Sequence, residues 1–181
     1  METIREHYPR PAFYSALNIL GTHDTPRILT LLGAEHVPGT KDARAAYRLS
    51  PEERQKGEAR LRVGEMLLYC FPGSPTVYYG DEAGMEGFED PLNRKTYPWD
   101  RQDRALLDFF RSLGQLRRHR PSLQDGDLTY VYAQGGALVL RRQLGDEITV
   151  AALNAGETAV EVSLPWPRDL AREALTFQQF F

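Results

Sequence analysis

The stretch Leu20–Arg27, LGTHDTPR, decides how this chain folds. It follows Ala16–Leu20, an apolar run whose length and closing glycine predict a buried parallel strand. A helix is predicted after it, so His23 and Asp24 should stand where a strand ends and a helix begins. In an α/β barrel, polar residues at the carboxyl ends of the strands act on the substrate, which makes this pair a candidate catalytic feature.

The helix after the strand is predicted from its start and stop signals. Asp24 or Thr25 suits the N-cap, Pro26 suits the first turn, and Gly33 ends the apolar face. The same signals allow a second interpretation, in which Asp24 only caps the helix and His23 only packs against it. This stretch alone is compatible with both interpretations.

The composition argues against several classes of partner. The 181 residues carry a formal net charge of −3, so no basic surplus exists to bind nucleic acid. No apolar run approaches the roughly 20 residues that span a bilayer, and no apolar signal-peptide core is present, so a cytoplasmic protein without membrane contact is expected. Cys70 is the single cysteine and the four histidines are scattered, so no disulfide, metal site or cofactor is predicted.

A second strand–helix unit follows the first. The segment Ser50–Glu53 (SPEE) has an N-cap, a first-turn proline and a capping-box glutamate, and it predicts a helix that runs to about Phe71. The β-branched and aromatic run Pro75–Gly80 predicts a second buried strand. The polar loop Asp81–Asp100 is long enough to be functional. From Asp100, helical spacing of apolar residues predicts a further helix, which ends near Arg117, Arg118 and Arg120.

The pattern of the chain changes at Pro121. Beyond it, alternating apolar residues and glycine-containing turns predict an antiparallel module of at least four strands. These strands are Leu128–Tyr132, Ala137–Arg141, Ile148–Leu153 and Thr158–Leu164. The sequence therefore predicts an α/β part over residues 1–120 and an all-β domain over residues 121–181. Within the α/β part, residues 1–15 are predicted to be irregular. Because two parallel strands cannot bury their own faces and edges, the α/β part should belong to a larger sheet.

Three motifs in the chain carry a family resemblance. They are LGTHDTPRILT (20–30), GSPTVYYGDEAGM (73–85) and DPLNRKTYPWD (90–100). In this order they resemble the end of the seventh barrel strand, the eighth strand with its loop, and the substrate-binding turn of that loop in the α-amylase superfamily, family 13 of the glycoside hydrolases. The neopullulanases, cyclomaltodextrinases and amylopullulanases are the most similar members. The resemblance implies the last two βα units of a (β/α)8 TIM barrel, followed by an antiparallel β-sandwich-like domain that lacks its closing strands.

The resemblance also implies roles for individual residues. Asp24 would be the carboxylate that stabilises the transition state, and His23 would bind hydroxyls of the same sugar. Asp90 and Arg94 match the family's Asp-Pro-x-x-Arg turn and would grip the next glucose unit, although an exposed local salt bridge is the plain alternative. Arg27 would hold the loop by pairing with a neighbouring carboxylate. Thr22 replaces the Asn that many members carry, and related neopullulanases have Ser there.

Two carboxylates of the family are missing from this chain. Retaining glycosidases use a nucleophile and an acid/base, which the family places on the fourth and fifth barrel strands. The resemblance therefore implies the C-terminal part of an enzyme that cleaves α-glucosidic bonds in starch, pullulan or cyclodextrin-type substrates, and a chain that is inactive alone. Its expected partners are an α-glucan and either the missing N-terminal part of the barrel or a second copy of itself. The alternative is a non-catalytic carbohydrate-binding or assembly module.

Overall fold

Helices and a short parallel pair of strands come first along the chain, and an antiparallel sheet follows. The computed structural model describes residues 2–163. The helices are α1 (Glu2–His7), α2 (Arg10–Tyr14), α3 (Ile28–Gly33), α4 (Lys41–Ala46), α5 (Pro51–Cys70), α6 (Arg104–Arg118) and α7 (Pro121–Asp125). The strands are β1 (Leu17–Ile19), β2 (Ser74–Thr76), β3 (Asp127–Gln134), β4 (Ala137–Leu144) and β5 (Glu147–Asn154). Over residues 2–163, no helix is both long and apolar enough to cross a membrane.

The two predicted parallel strands pair with each other. β1 and β2 run parallel, with Leu17 opposite Ser74 and Ile19 opposite Thr76. Both strands are shorter than predicted, and their predicted burial is wrong in this chain, since the Leu17 side chain is 72% exposed. The faces of this two-stranded sheet are not fully covered by packed helices, so some of its apolar residues remain in contact with solvent.

The long helix α5 is the centre of the α/β part. It begins as predicted at a capping box, in which Ser50 Oγ accepts from Glu53 N and Glu53 Oε2 accepts from Ser50 N at 2.8 Å. It ends at Cys70, one residue before the predicted end. Its apolar face packs between α3 and α6, in a core that contains the fully buried Leu29, Leu61, Leu106 and Leu113.

Helix α3 begins later than its sequence signals predict. The N-cap is Arg27, whose side chain makes no capping hydrogen bond, so the predicted start at Asp24 or Thr25 is wrong. Arg27 has an extended backbone (ψ 133°), and its N–H donates to Gly87 O at 2.8 Å instead of serving a helical turn. A contact from a distant loop thus overrides the local preference of Asp24, Thr25 and Pro26.

The ends of the described chain also differ from the predictions. The segment predicted to be irregular contains α1 and α2, because Pro9 and Pro11 stand at the start of α2, where proline is tolerated.

Strands β3, β4 and β5 form an antiparallel sheet in that order. Residues 155–163 contain no strand, so the fourth strand predicted over Thr158–Leu164 is wrong in its described part, and Leu164 lies outside the described residues. The strands described here form one layer, not the two of a sandwich.

The antiparallel sheet packs on the end of α5. Phe13, Phe71, Leu128 and Leu140 form one apolar cluster that joins α2 and the end of α5 to β3 and β4. A buried arginine on β4 strengthens this junction, since Arg142 donates to Cys70 O at 2.8 Å and twice to Gly126 O. Burial lowers the pKa of the Arg142 guanidinium to about 10, so it remains charged at neutral pH.

Replacing Arg142 with Ala should loosen the junction between the sheet and α5. Each buried carbonyl that loses its donor costs about 1–3 kcal/mol, so the loss of the donors to the Cys70 and Gly126 carbonyls should lower the free energy of unfolding by roughly 2–6 kcal/mol. Urea denaturation followed by circular dichroism measures this loss. Arg118→Ala, an exposed arginine at the end of α6, is the control and should change the free energy of unfolding by less than about 0.5 kcal/mol. Equal effects of the two substitutions would contradict the role given to Arg142.

Candidate active site

Arg27 brings the stretch after β1 into contact with the loop after β2. Arg27 as a whole residue is 1% exposed. Arg27 Nε donates to Asn93 O at 2.8 Å, and Nη1 donates to Asp81 Oδ1 at 3.0 Å and to Tyr79 O. The predicted pairing of Arg27 with a neighbouring carboxylate is therefore confirmed, and Asp81 is that carboxylate. The guanidinium fixes residues 79–93 against the stretch that carries His23 and Asp24.

Aromatic rings flank the same guanidinium. The Arg27 Cζ atom lies 4.3 Å from the centroid of the Tyr78 ring and 4.6 Å from that of the Tyr79 ring. Both distances fall within the range of a cation–π contact, which is strongest where water is excluded. These rings come two and three residues after the end of β2, so they hold the start of the loop on the buried arginine.

Two buried carboxyl groups lie beneath this region. Burial raises the pKa of Asp81 to about 6, and the Arg27 guanidinium opposes the rise. Burial, with a smaller contribution from the charge of Asp81, raises the pKa of Glu65 on α5 to about 8, so this group carries a proton at neutral pH. The packing around Asp81 is tight, because a Cβ atom added at Gly21 would lie 2.4 Å from Asp81 Oδ2. A side chain at that point of the LGTHD stretch would displace the Asp81 carboxylate.

Asn93 links the two loops a second time. Its side chain is fully buried, and Asn93 Nδ2 donates to His23 O and to Thr25 O, both at 2.7 Å. These carbonyls stand on either side of Asp24. Asn93 was not predicted from the sequence, because its role depends on contacts with residues 68 and 70 positions earlier in the chain, which no local pattern indicates.

The fold brings all four predicted site residues together. His23 Nε2 lies 3.3 Å from Asp24 Oδ1, Arg94 Nη2 lies 3.9 Å from the same oxygen, and Arg94 Nε lies 2.9 Å from Asp90 Oδ1. Arg94 Nε also lies 3.2 Å from His23 O. The Asp24 side chain is 73% exposed and caps no helix. Its carboxylate is thus open to a ligand, with a histidine and an arginine beside it.

This arrangement has the polar groups that a sugar needs. Carboxylates accept hydrogen bonds from hydroxyl groups, while guanidinium and imidazole groups donate to them. The four groups lie on loops that buried contacts of Arg27 and Asn93 hold in place, so they are positioned before a ligand arrives. Within residues 2–163, no group of three His, Cys, Asp or Glu side chains is placed to hold a metal ion.

Comparison with known proteins finds relatives that are named amylopullulanase and cyclomaltodextrinase. This chain is 34% identical over 187 aligned residues to an amylopullulanase of Thermoanaerobacterium thermosulfurigenes. The alignment covers 97% of this chain and 10% of that protein. A cyclomaltodextrinase of Geobacillus thermopakistaniensis is 32% identical, with 87% of this chain and 24% of that protein covered. The chain thus spans between a tenth and a quarter of the length of these relatives.

A solved structure and a family profile agree with these relatives. The acarbose-soaked debranching enzyme of Nostoc punctiforme matches 86% of this chain and 28% of its own, with a TM-score of 0.68 and 30% identity. That enzyme and the other structural neighbours are TIM-barrel amylases, and this chain matches part of them. The profile of the alpha-amylase catalytic domain matches residues 3–124, which is well over half of the sequence. The chain therefore belongs to the alpha-amylase family, family 13 of the glycoside hydrolases.

Proposed function

We propose that this chain is the C-terminal part of a retaining glycoside hydrolase that cleaves α-glucosidic bonds in starch, pullulan or cyclodextrin-type glucans. Family membership and the names of the relatives, which include amylopullulanases, cyclomaltodextrinases and a neopullulanase, support the substrate class. The short share of each relative that the chain covers supports its being one part of a larger barrel. In this proposal residues 1–120 carry the seventh and eighth barrel strands, and residues 121–181 belong to the β domain that follows.

The observation that carries the proposal is the position of Asp24. Its carboxylate is exposed beyond the end of β1, serves no helix cap, and lies beside His23 and Arg94. A retaining glycosidase passes through an oxocarbenium-like transition state, with positive charge on the sugar ring. A fixed carboxylate at this point stabilises that charge and accepts hydrogen bonds from ring hydroxyls. We assign this role to Asp24, and we assign binding of hydroxyls of the same sugar to His23.

Asp90 and Arg94 would bind the neighbouring glucose unit. They face each other across one turn of the loop, and both side chains are partly exposed, so each keeps hydrogen-bonding groups for a ligand. A salt bridge between exposed residues adds little stability, and this pair is therefore available for exchange with sugar hydroxyls. The contact of Arg94 with His23 O brings this turn to the edge of the Asp24 site.

The rest of the barrel would supply what this chain lacks. The family's nucleophile and acid/base are not among the residues that match its motifs here, so hydrolysis needs strands from outside this chain. Leu17 and Ile19 on β1 are exposed apolar residues on a strand with an open edge. Such a surface pairs readily with another strand. We infer that it is covered by the preceding part of the barrel, or by a second copy when that part is absent.

In the full-length enzyme, Asp24→Asn should lower kcat about 10²–10³-fold, because one preorganised transition-state contact is lost, while KM changes little. Steady-state kinetics on maltooligosaccharides measure both constants. Asp146→Asn, the same chemical change in the exposed turn between β4 and β5, is the control and should leave kcat unchanged. If Asp24→Asn keeps more than half of the kcat, the assignment is wrong and a non-catalytic binding module becomes the better account.

Asp90→Ala and Arg94→Ala should mainly weaken the binding of longer substrates. Lost hydrogen bonds to charged groups cost about 1.5–3 kcal/mol, which corresponds to a rise in KM of at least about tenfold for maltohexaose. An aryl α-glucoside that occupies only the Asp24 sugar site should be much less affected. Asp108→Ala and Arg111→Ala, which remove an exposed ion pair of 3.0 Å on α6, serve as matched controls. Equal losses on short and long substrates would contradict the assignment to a neighbouring sugar site.

The 181-residue chain alone should hydrolyse neither starch, pullulan nor cyclodextrins, because the carboxylate of Asp24 cannot act without a nucleophile. It should also self-associate through the open β1 edge. A reducing-sugar assay and light scattering on the same purified sample test both statements. A monomer that releases maltose would contradict the proposal.

A further inference from the structure

Asn93 lies between the turn proposed to bind one sugar and the carboxylate proposed to act on the next. We propose that Asn93 is a positioning residue that sets the orientation of Asp24 and couples it to the Asp90–Arg94 turn. This inference rests on the proposed function, because it concerns how that site is held together. It assigns no contact with substrate to Asn93, whose side chain is fully buried.

The amide orientation of Asn93 follows from its neighbours. Both atoms within 2.7 Å of the Nδ2 atom are main-chain carbonyl oxygens, those of His23 and Thr25. Carbonyl oxygens only accept hydrogen bonds, so the NH₂ group must face them with its two N–H donors. One amide group therefore fixes the peptide unit that precedes Asp24 and the peptide unit that follows Thr25.

Asp24 has little else to hold it in place. Its carboxylate meets His23 and Arg94 at 3.3 and 3.9 Å, in contacts that are exposed to solvent. Its N–H donates to Thr22 Oγ1 at 3.1 Å within the same stretch. The fork of hydrogen bonds from Asn93 is thus the buried, long-range restraint on this residue. A displacement of about 1 Å in a catalytic group can cost about 10²-fold in rate, so such a restraint bears directly on kcat.

The same residue ties the restraint to the sugar-binding turn. Asn93 O accepts from Arg27 Nε at 2.8 Å, and the adjacent Arg94 donates to His23 O at 3.2 Å and contacts Asp90 at 2.9 Å. The His23 carbonyl consequently receives one hydrogen bond from Asn93 and one from Arg94. When Arg94 moves to bind a sugar, its hydrogen bond to His23 O changes, and the peptide unit before Asp24 shifts with it. The two sugar sites are coupled in this way.

The test is a double-mutant cycle in the full-length enzyme, with Asn93→Asp, Asp24→Asn and the combined variant. Asn93→Asp keeps the shape of the side chain but places an acceptor against two carbonyl oxygens. We expect it to lower kcat about 10–100-fold with a smaller change in KM, and to add no further loss of kcat in the Asp24→Asn background. If Asn93→Asp does not fold, Asn93→Ala, which removes the donors without adding a charge, replaces it in the cycle.

Two controls separate positioning from a general loss of structure. Asn154→Asp makes the same change at an exposed asparagine that donates to Thr158 O at 2.8 Å after β5, and it should leave kcat unchanged. The amide NMR signals of residues 22–26 in the 181-residue chain should shift in the Asn93 variant and not in Asn154→Asp.

The outcomes distinguish this inference from the function on which it rests. An Asn93 variant with wild-type kcat beside a strongly impaired Asp24→Asn variant overturns the role of Asn93 alone. So does a loss of kcat that multiplies with that of Asp24→Asn, because a purely structural effect would act independently of Asp24. Full activity in Asp24→Asn overturns the proposed function and this role together.

Discussion

The buried guanidinium of Arg27 is the interaction on which the candidate site depends. A buried cation is tolerated only when nearly all of its hydrogen-bonding and charge requirements are met by the protein. Arg27 meets most of them with the Asp81 carboxylate, the carbonyls of Tyr79 and Asn93, and two tyrosine rings, while its buried Nη2 atom has no hydrogen-bond partner among the described residues. These partners come from the loop after β2, whereas Arg27 comes from the stretch after β1. The requirements of one side chain therefore determine how the two loops are joined.

The groups around Arg27 follow from this constraint. Asp81 can be buried because the guanidinium compensates its charge, and glycine at position 21 leaves the space that Asp81 Oδ2 occupies. Glu65 has no such partner, which is why burial keeps it protonated at neutral pH. With the underlying groups fixed, His23, Asp24 and Arg94 remain at the surface, with side chains that are 63%, 73% and 45% exposed. The site is exposed, while its support is buried.

The sequence predicted local features well and non-local features poorly. The start of α5 at Ser50 was predictable because a capping box involves only residues three positions apart. Two non-local features were exceptions: the repeated strand–helix pattern predicted the parallel pairing of β1 with β2, and the family resemblance implied that Arg27 pairs with a carboxylate. The start of α3 was not, since a hydrogen bond to Gly87 withdraws Arg27 from the helix. Asn93 gave no signal, because its partners are far away in the sequence. The exposure of Leu17 could not be read from β1, since burial depends on which neighbours surround a strand.

Hydrogen exchange on the 181-residue chain with Arg27→Gln tests the central claim most directly. Glutamine is shorter and neutral, so it cannot reach Asp81 and Asn93 together or compensate the buried carboxylate. The account predicts that amides of residues 21–27 and of residues 79–94 lose protection together, while the capped start of α5 at Ser50 keeps its protection. Loss of protection in only one of the two loops, or in neither, would contradict the claim that Arg27 joins them into one site.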